Sequence, residues 1–136
     1  MKVLLSVKPE YVQRIFAGTK KFEYRRMIFK EKKVKTVVVY ASSPVRKVVG
    51  EFTIGRIICK APESLWLATK DFAGIDEMRF YNYFAGKEIG YAIEILNPLR
   101  YSAEKDLMSN YGCHPPQSFV YIYGTMNNRN LKGGVM

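Results

Sequence analysis

The chain has 136 residues, 48% hydrophobic and 14% aromatic, which is enough for one domain with a real core and too few for two. This composition excludes a disordered chain, and no apolar run reaches the roughly 18 residues of a membrane span. The net charge of +10 is unevenly placed: residues 1–60 hold fifteen Lys/Arg against four Asp/Glu, and residues 61–136 hold seven against eight. Residues 20–35 alone carry eight basic groups against Glu23 and Glu31. A localised cationic field attracts polyanions, nucleic acid first among them, whereas a basic composition serving only solubility would be spread evenly. Two cysteines, Cys59 and Cys113, without C-x-x-C spacing, and a start (MKVLLSVKPE) too poor in apolar residues for a signal peptide fit a reduced, cytoplasmic protein.

Residues 3–7, VLLSV, form a short apolar run suited to a buried strand. Pro9 then opens a helix where its missing N–H costs nothing; Val12, Ile15 and Phe16 fall at helical spacing, and Gly18 supplies a left-handed cap. In the following strand Phe22, Tyr24 and Arg26 share one face and Lys21, Glu23 and Arg25 the other, with a bulge at the helix exit able to exchange Lys21 for Lys20. EKKVK reads as a solvated turn, and TVVVYAS as a buried β-branched strand that ends at Ser42-Ser43-Pro44. Residues 48–59 make a long strand whose Gly50 and Gly55 predict bulges or corners.

Pro62 and Asp76 start two helices. The triplet Phe-Ala-Gly at 16–18, 72–74 and 84–86 reads as three helix ends built alike, an inward aromatic before a glycine cap. KEIGYAIEIL turns Ile89, Tyr91, Ile93 and Ile95 inward as a strand, and SFVYIYG is the last strand. The domain is expected to span 1–125, with 126–136 a flexible tail. Helices and strands do not alternate, which excludes a doubly wound parallel fold. The expected architecture is α+β: a small, mixed, partly closed β-barrel with helices packed on it.

The segment SVKPEYVQRIFAGTKKFEYRR contains G-x-K-x-x-E-x-R as Gly18, Lys20, Glu23 and Arg25, after Ser6, Lys8 and Pro9. With YASSPV, GEF and PPQSFVY further on, it resembles the ASCH domain family of the PUA-like superfamily over residues 3 to about 123. The resemblance implies a small barrel with a cleft between it and the first helix, lined by the polar residues of the motif. It also implies RNA binding, regulation of translation or transcription, and in some branches hydrolysis of a modified nucleoside or of RNA. In the amidohydrolase-like branch a threonine nucleophile stands where this chain has Glu23, a departure that argues against amide hydrolysis by that route.

The residues themselves are compatible with such a cleft. Glu23 among cations is a fixed acceptor for a base amino group, while Lys20 and Arg25 suit phosphate or carbonyl oxygens. The plainer account is a structural Glu23–Arg25 ion pair at the barrel mouth. The expected ligand-facing set is Lys8, Lys20, Glu23, Arg25, Arg26, Ser42, Trp66 and Tyr121, with Trp66 lying over the mouth and Tyr121 among the aromatics available for stacking. Core packing accounts for Phe22, Phe52, Phe119 and most tyrosines.

The leading expectation is an RNA-binding or nucleotide-binding module; the alternative is a hydrolase using a Lys20–Glu23 acid/base pair. A third, an interaction protein joined through a sheet edge, leaves the charge asymmetry unexplained. One histidine, His114, beside Cys113 does not make a metal site, and the absence of a P-loop or G-x-G-x-x-G removes the usual nucleotide-cofactor cradles, so neither metal nor cofactor is expected.

Overall fold

The computed structural model describes residues 1–123, so the predicted tail lies outside the described residues. In chain order the elements are β1 (Lys2–Val7), α1 (Pro9–Ala17), β2 (Phe22–Arg25), β3 (Thr36–Ala41), β4 (Lys47–Lys60), α2 (Pro62–Thr69), α3 (Glu77–Tyr83), β5 (Gly90–Lys105), α4 (Leu107–Tyr111) and β6 (Phe119–Ile122), with a 3-10 turn at Lys70–Phe72 after α2. The six strands form one mixed sheet in the order β2-β5-β4-β3-β1-β6. Among the described residues only β1 and β3 run parallel.

The sheet is buried on both faces at its centre, which is why β1 and β3 read as continuous apolar runs. Val3, Leu5, Val37 and Val39 face Val12 and Ile15 of α1 in one core cluster, while Leu4, Val38 and Tyr40 face Leu107 and Ile122 in another. A third cluster joins Phe22 and Tyr24 to Leu65, Phe80 and Phe84 beneath α2 and α3. Glu23 and Arg25, alternating with Phe22 and Tyr24, therefore point to the α1 side, where Glu23 pairs across from Ile93.

The long strands bend where the glycines predicted. The β4–β5 ladder shifts register between Val48 and Gly50, and again between Glu51 and Thr53 and between Ile54 and Ile57. A Cβ on Gly50 would lie 2.5 Å from both Leu99 O and the Phe16 ring, so the missing side chain lets Phe16 of α1 pack directly on the strand backbone. The curl stops short of a closed barrel: among the described residues no ladder joins β2 to β6. Instead the Arg25 guanidinium, at the end of β2, donates to Ser6 O on β1 at 3.3 Å and to Ser118 O just before β6 at 2.8 Å.

Four local expectations change. Helix α4 was not anticipated, although its Asp106 cap accepts from Ser109 N and Gly112 ends it at φ +66°. Strand β5 runs past Asn97 and Pro98, because Asn97 takes φ +49° and the irregular pairing with β4 absorbs the break. Ile89 precedes β5 and is exposed, whereas Ile93 and Ile95 are buried as expected. Of the three Phe-Ala-Gly ends, all the glycines have positive φ, but Phe72 is exposed and lies under the Lys21 ammonium at 4.5 Å.

Candidate nucleic-acid interface

A cleft of about 690 Å³ opens where the end of β1, the start of α1, β2 and α3 converge. Of the expected site residues, Lys8, Lys20, Glu23, Arg25 and Arg26 line it. The other three are placed outside its lining. Ser42 lies in the turn after β3, where its amide bonds Val7 O. Trp66 packs at 4.9 Å on Phe80, and Tyr121 accepts the amides of Lys30 and Glu31. Trp66 fails to reach the mouth because α3 lies between it and β2, and Phe80 on α3 takes the face of Tyr24 at 5.0 Å.

Lys20, not Lys21, belongs to the cleft. Thr19 and Lys20 amides both close on Arg14 O, and the next residue crosses to the sheet, with Lys21 N bonded to Phe72 O and Lys21 O accepting from Ile95 N. That turn leaves Lys20 only 2% exposed. Its Nζ donates to Ala73 O at 2.8 Å and stands 4.8 Å above the Tyr24 ring and 5.2 Å from that of Tyr11. Burial pulls the ammonium down from 10.5 to about 8; Glu23 opposes this and Arg14 adds to it.

Arg14 binds the next carbonyl, Gly74 O, at 2.9 Å, so two cations of α1 and its exit hold consecutive carbonyls of the α2–α3 connection. Gly74 has φ +64°, and a Cβ there would lie 2.4 Å from Lys20 Cβ. Gly74→Ala is therefore expected to cost about 1–3 kcal/mol from backbone strain alone and to push Lys20 from its seat. Urea unfolding measures the first effect, and an altered Lys20 titration followed by NMR measures the second.

Glu23 is 6% exposed, and its Oε2 accepts from Arg25 Nη1 at 3.3 Å. The structural ion pair and the cavity thus coexist. Among the described residues Glu23 has no other hydrogen bond, which leaves Oε1 without a donor in a cleft wall. Three Arg25 donor contacts go to Glu23, Ser6 O and Ser118 O, so this arginine holds the walls together more than it offers itself to a ligand.

The Thr69 hydroxyl donates to Leu65 O, so Tyr24 must be the donor in its 2.7 Å bond to Thr69 Oγ1. Burial, helped by the Glu23 charge, raises the Tyr24 phenol to about 12 despite that bond. Tyr24 is thus a fixed wall for Lys20 rather than a proton carrier.

Helix α3 brings residues that the sequence reading missed: Arg79, Asn82 and Tyr83, with Tyr11 of α1 and Gln117 opposite. The signal was available, because Arg79, Asn82 and Tyr83 fall at i, i+3 and i+4 on the face away from Phe80 and Phe84. Arg79 donates to Glu10 at 2.8 Å, and Arg26 stacks on the Tyr83 ring at 4.9 Å. The lining thus carries five cations, Lys8, Lys20, Arg25, Arg26 and Arg79, against Glu10 and Glu23, each carboxylate paired with an arginine. Among the described residues no cluster of three His, Cys, Asp or Glu side chains is arranged to hold a metal. Nor is any helix there long and apolar enough to cross a membrane.

The sequence model of the ASCH domain matches residues 5–113. The chain belongs to the ASCH domain family. It is 26% identical over 126 residues to an ASCH domain-containing ribonuclease of Zymomonas mobilis, covering 89% of this chain and 84% of that protein. The crystal structure of the ASCH protein from Zymomonas mobilis superposes with a TM-score of 0.82 at 25% identity, over 90% of this chain and 87% of the other. The chain is also 28% identical over 120 residues to the large ribosomal subunit protein uL22 of Ureaplasma parvum, spanning 88% of itself but only 39% of that protein.

Proposed function

We propose that this ASCH domain binds single-stranded RNA in the cleft. The observation that carries the reading is the lining: five cations against two carboxylates that are already paired, in a cavity of about 690 Å³. Lys8 and Arg26, which make no ion pair among the described residues, suit phosphates. The Glu23 oxygen without a donor suits the amino group of an unstacked base, and Tyr11 and Tyr83 offer ring surface to it. Any role in regulating translation or transcription would run through this binding step. Cys59 and Cys113 are both unpaired, in keeping with a reducing compartment such as the cytoplasm.

Fluorescence anisotropy with a labelled oligoribonucleotide at several salt concentrations tests the reading. The logarithm of the affinity should fall with the logarithm of salt at about 0.7 per phosphate neutralised, and Lys8→Ala with Arg26→Ala should flatten that slope by about 1.4. Salt-independent binding, or a slope the double variant leaves unchanged, would refute it.

A second reading, RNA cleavage in the same cleft, is favoured by the lowered Lys20 ammonium and by the ribonuclease named among the relatives. The ribose 2′-hydroxyl would attack the adjacent phosphorus and give its proton to Glu23 Oε1. The P–O5′ bond would then break as Lys20 protonates the leaving oxygen, a role suited to an acid titrating near 8. A single 2′-deoxy substitution at the scissile position should block cleavage; cleavage that persists there excludes this chemistry.

A further inference from the structure

Residues 26–35 carry the densest charge in the chain, yet the cleft uses only Arg26. The rest of the segment is firmly held. Phe29 and Val34 are buried in the main core, and Phe29 meets Phe119 edge-on at 6.0 Å. Lys30 N and Glu31 N both donate to Tyr121 Oη, at 3.1 and 3.2 Å. Glu31 Oε2 in turn accepts from Lys33 N at 3.1 Å, which commits the segment's one carboxylate to its own backbone. Lys30, Lys32, Lys33 and Lys35 are left exposed, and among the described residues none of the four makes an ion pair.

This lysine ridge adjoins the cleft through a common wall. The residues that clamp it, Phe119 and Tyr121, belong to β6, and the chain leading into β6 supplies Gln117 to the cleft lining and Ser118 O to Arg25. Four unpaired like charges within six residues of a held backbone raise the local positive potential and attract a polyanion. A nucleoside filling the cleft would leave the ridge bare, whereas a chain of phosphates would meet both.

We infer that the ligand is a single-stranded polynucleotide that enters the cleft and continues across the Lys30, Lys32, Lys33 and Lys35 ridge, with Tyr121 a positioning residue that acts through the loop. This rests on the reading of the cleft as RNA-binding and narrows it, since a mononucleotide is then too short to be the full ligand. Sequence reasoning had set Tyr121 in the site itself; its hydroxyl instead holds the backbone that displays the lysines.

The test compares labelled oligoribonucleotides of about three and about twelve nucleotides, lengths that bracket common single-strand site sizes. The parent should bind the longer one at least about tenfold more tightly. The Lys30→Gln, Lys32→Gln, Lys33→Gln triple variant should bind the short one within about twofold of the parent, lose most of the length gain, and show a salt slope lower by about 2. Tyr121→Phe should move the same way to a smaller extent, again on the long oligonucleotide only. If the parent binds both lengths equally, or the triple variant binds the longer one as the parent does, the ridge has no such role while the cleft reading stands. If the parent binds neither length, both fall.

Discussion

Arg25→Ala is expected to destabilise the domain by about 3–5 kcal/mol, the usual cost of stripping one partner from a buried ion pair. The side chains involved are 12% and 8% exposed, so Glu23 would be left as a nearly dry, unpaired carboxylate. The loss extends further, because the same guanidinium caps Ser6 O and Ser118 O and spans the two open edges of the sheet. Arg25→Lys should restore at most about half, since one ammonium cannot reproduce a planar fork with three acceptors. The Arg25→Met, Glu23→Gln double variant should be more stable than Arg25→Ala, because it removes both charges together. Urea unfolding of the four proteins decides the matter. A cost below about 1 kcal/mol for Arg25→Ala would mean that the edges hold without this bridge.

Lys20→Met is expected to behave in the opposite way: stability at pH 7 stays within about 1 kcal/mol of the parent, and under the cleavage reading proposed above the 2′-hydroxyl-dependent activity is lost. A lysine lowered from 10.5 to about 8 is charged at pH 7 at a folding cost of roughly 3 kcal/mol. Substitution relieves that cost but strands Ala73 O, a loss of about 1–3 kcal/mol, so the two nearly cancel. The pH dependence separates them. Between about 8 and 10.5 the unfolded chain holds a proton on Lys20 that the folded chain has released, so parental stability should rise with pH in that window. Tyr24 reverses the trend higher up: its phenol, raised from 10.0 to about 12, keeps its proton when the unfolded chain loses one, and stability falls above about pH 10. Urea midpoints taken from pH 7 to 11 should therefore pass through a maximum in the parent, and the rising limb should vanish in Lys20→Met. A rising limb that survives the substitution would assign it to another group.

The parts of this molecule that were legible in the sequence are those set by local periodicity and backbone chemistry. Alternation along Phe22-Glu23-Tyr24-Arg25 places the aromatic pair and the ionic pair on opposite faces, and the structure keeps them there. Gly18, Gly74 and Gly86 all take the positive φ expected of caps. The cluster Gly18, Lys20, Glu23 and Arg25 was recognisable because a helix exit and a strand start bring it together within eight residues. Missed were contributions from distant elements: Arg79, Asn82 and Tyr83 reach the cleft only because α3 folds back over β2. Trp66 shows the converse, an aromatic near the right strand that another helix screens from the cleft.

By itself, then, the sequence determined the strand faces, the helix caps, the bent strands and the concentration of charge in residues 20–35, because each follows from the conformational preferences and spacing of near neighbours. Only the tertiary structure decided what that charge can do. Burial by Ala73, Tyr11 and Tyr24 makes Lys20 a cation that can give up its proton near neutrality, a property of its surroundings and not of the motif. Contacts across 19 and 93 residues of chain turn Arg25 into the bridge between sheet edges, and contacts across 91 and 90 turn Tyr121 into the clamp of the lysine ridge. Such roles depend on which carbonyls and amides arrive from far along the chain, information that no local pattern carries.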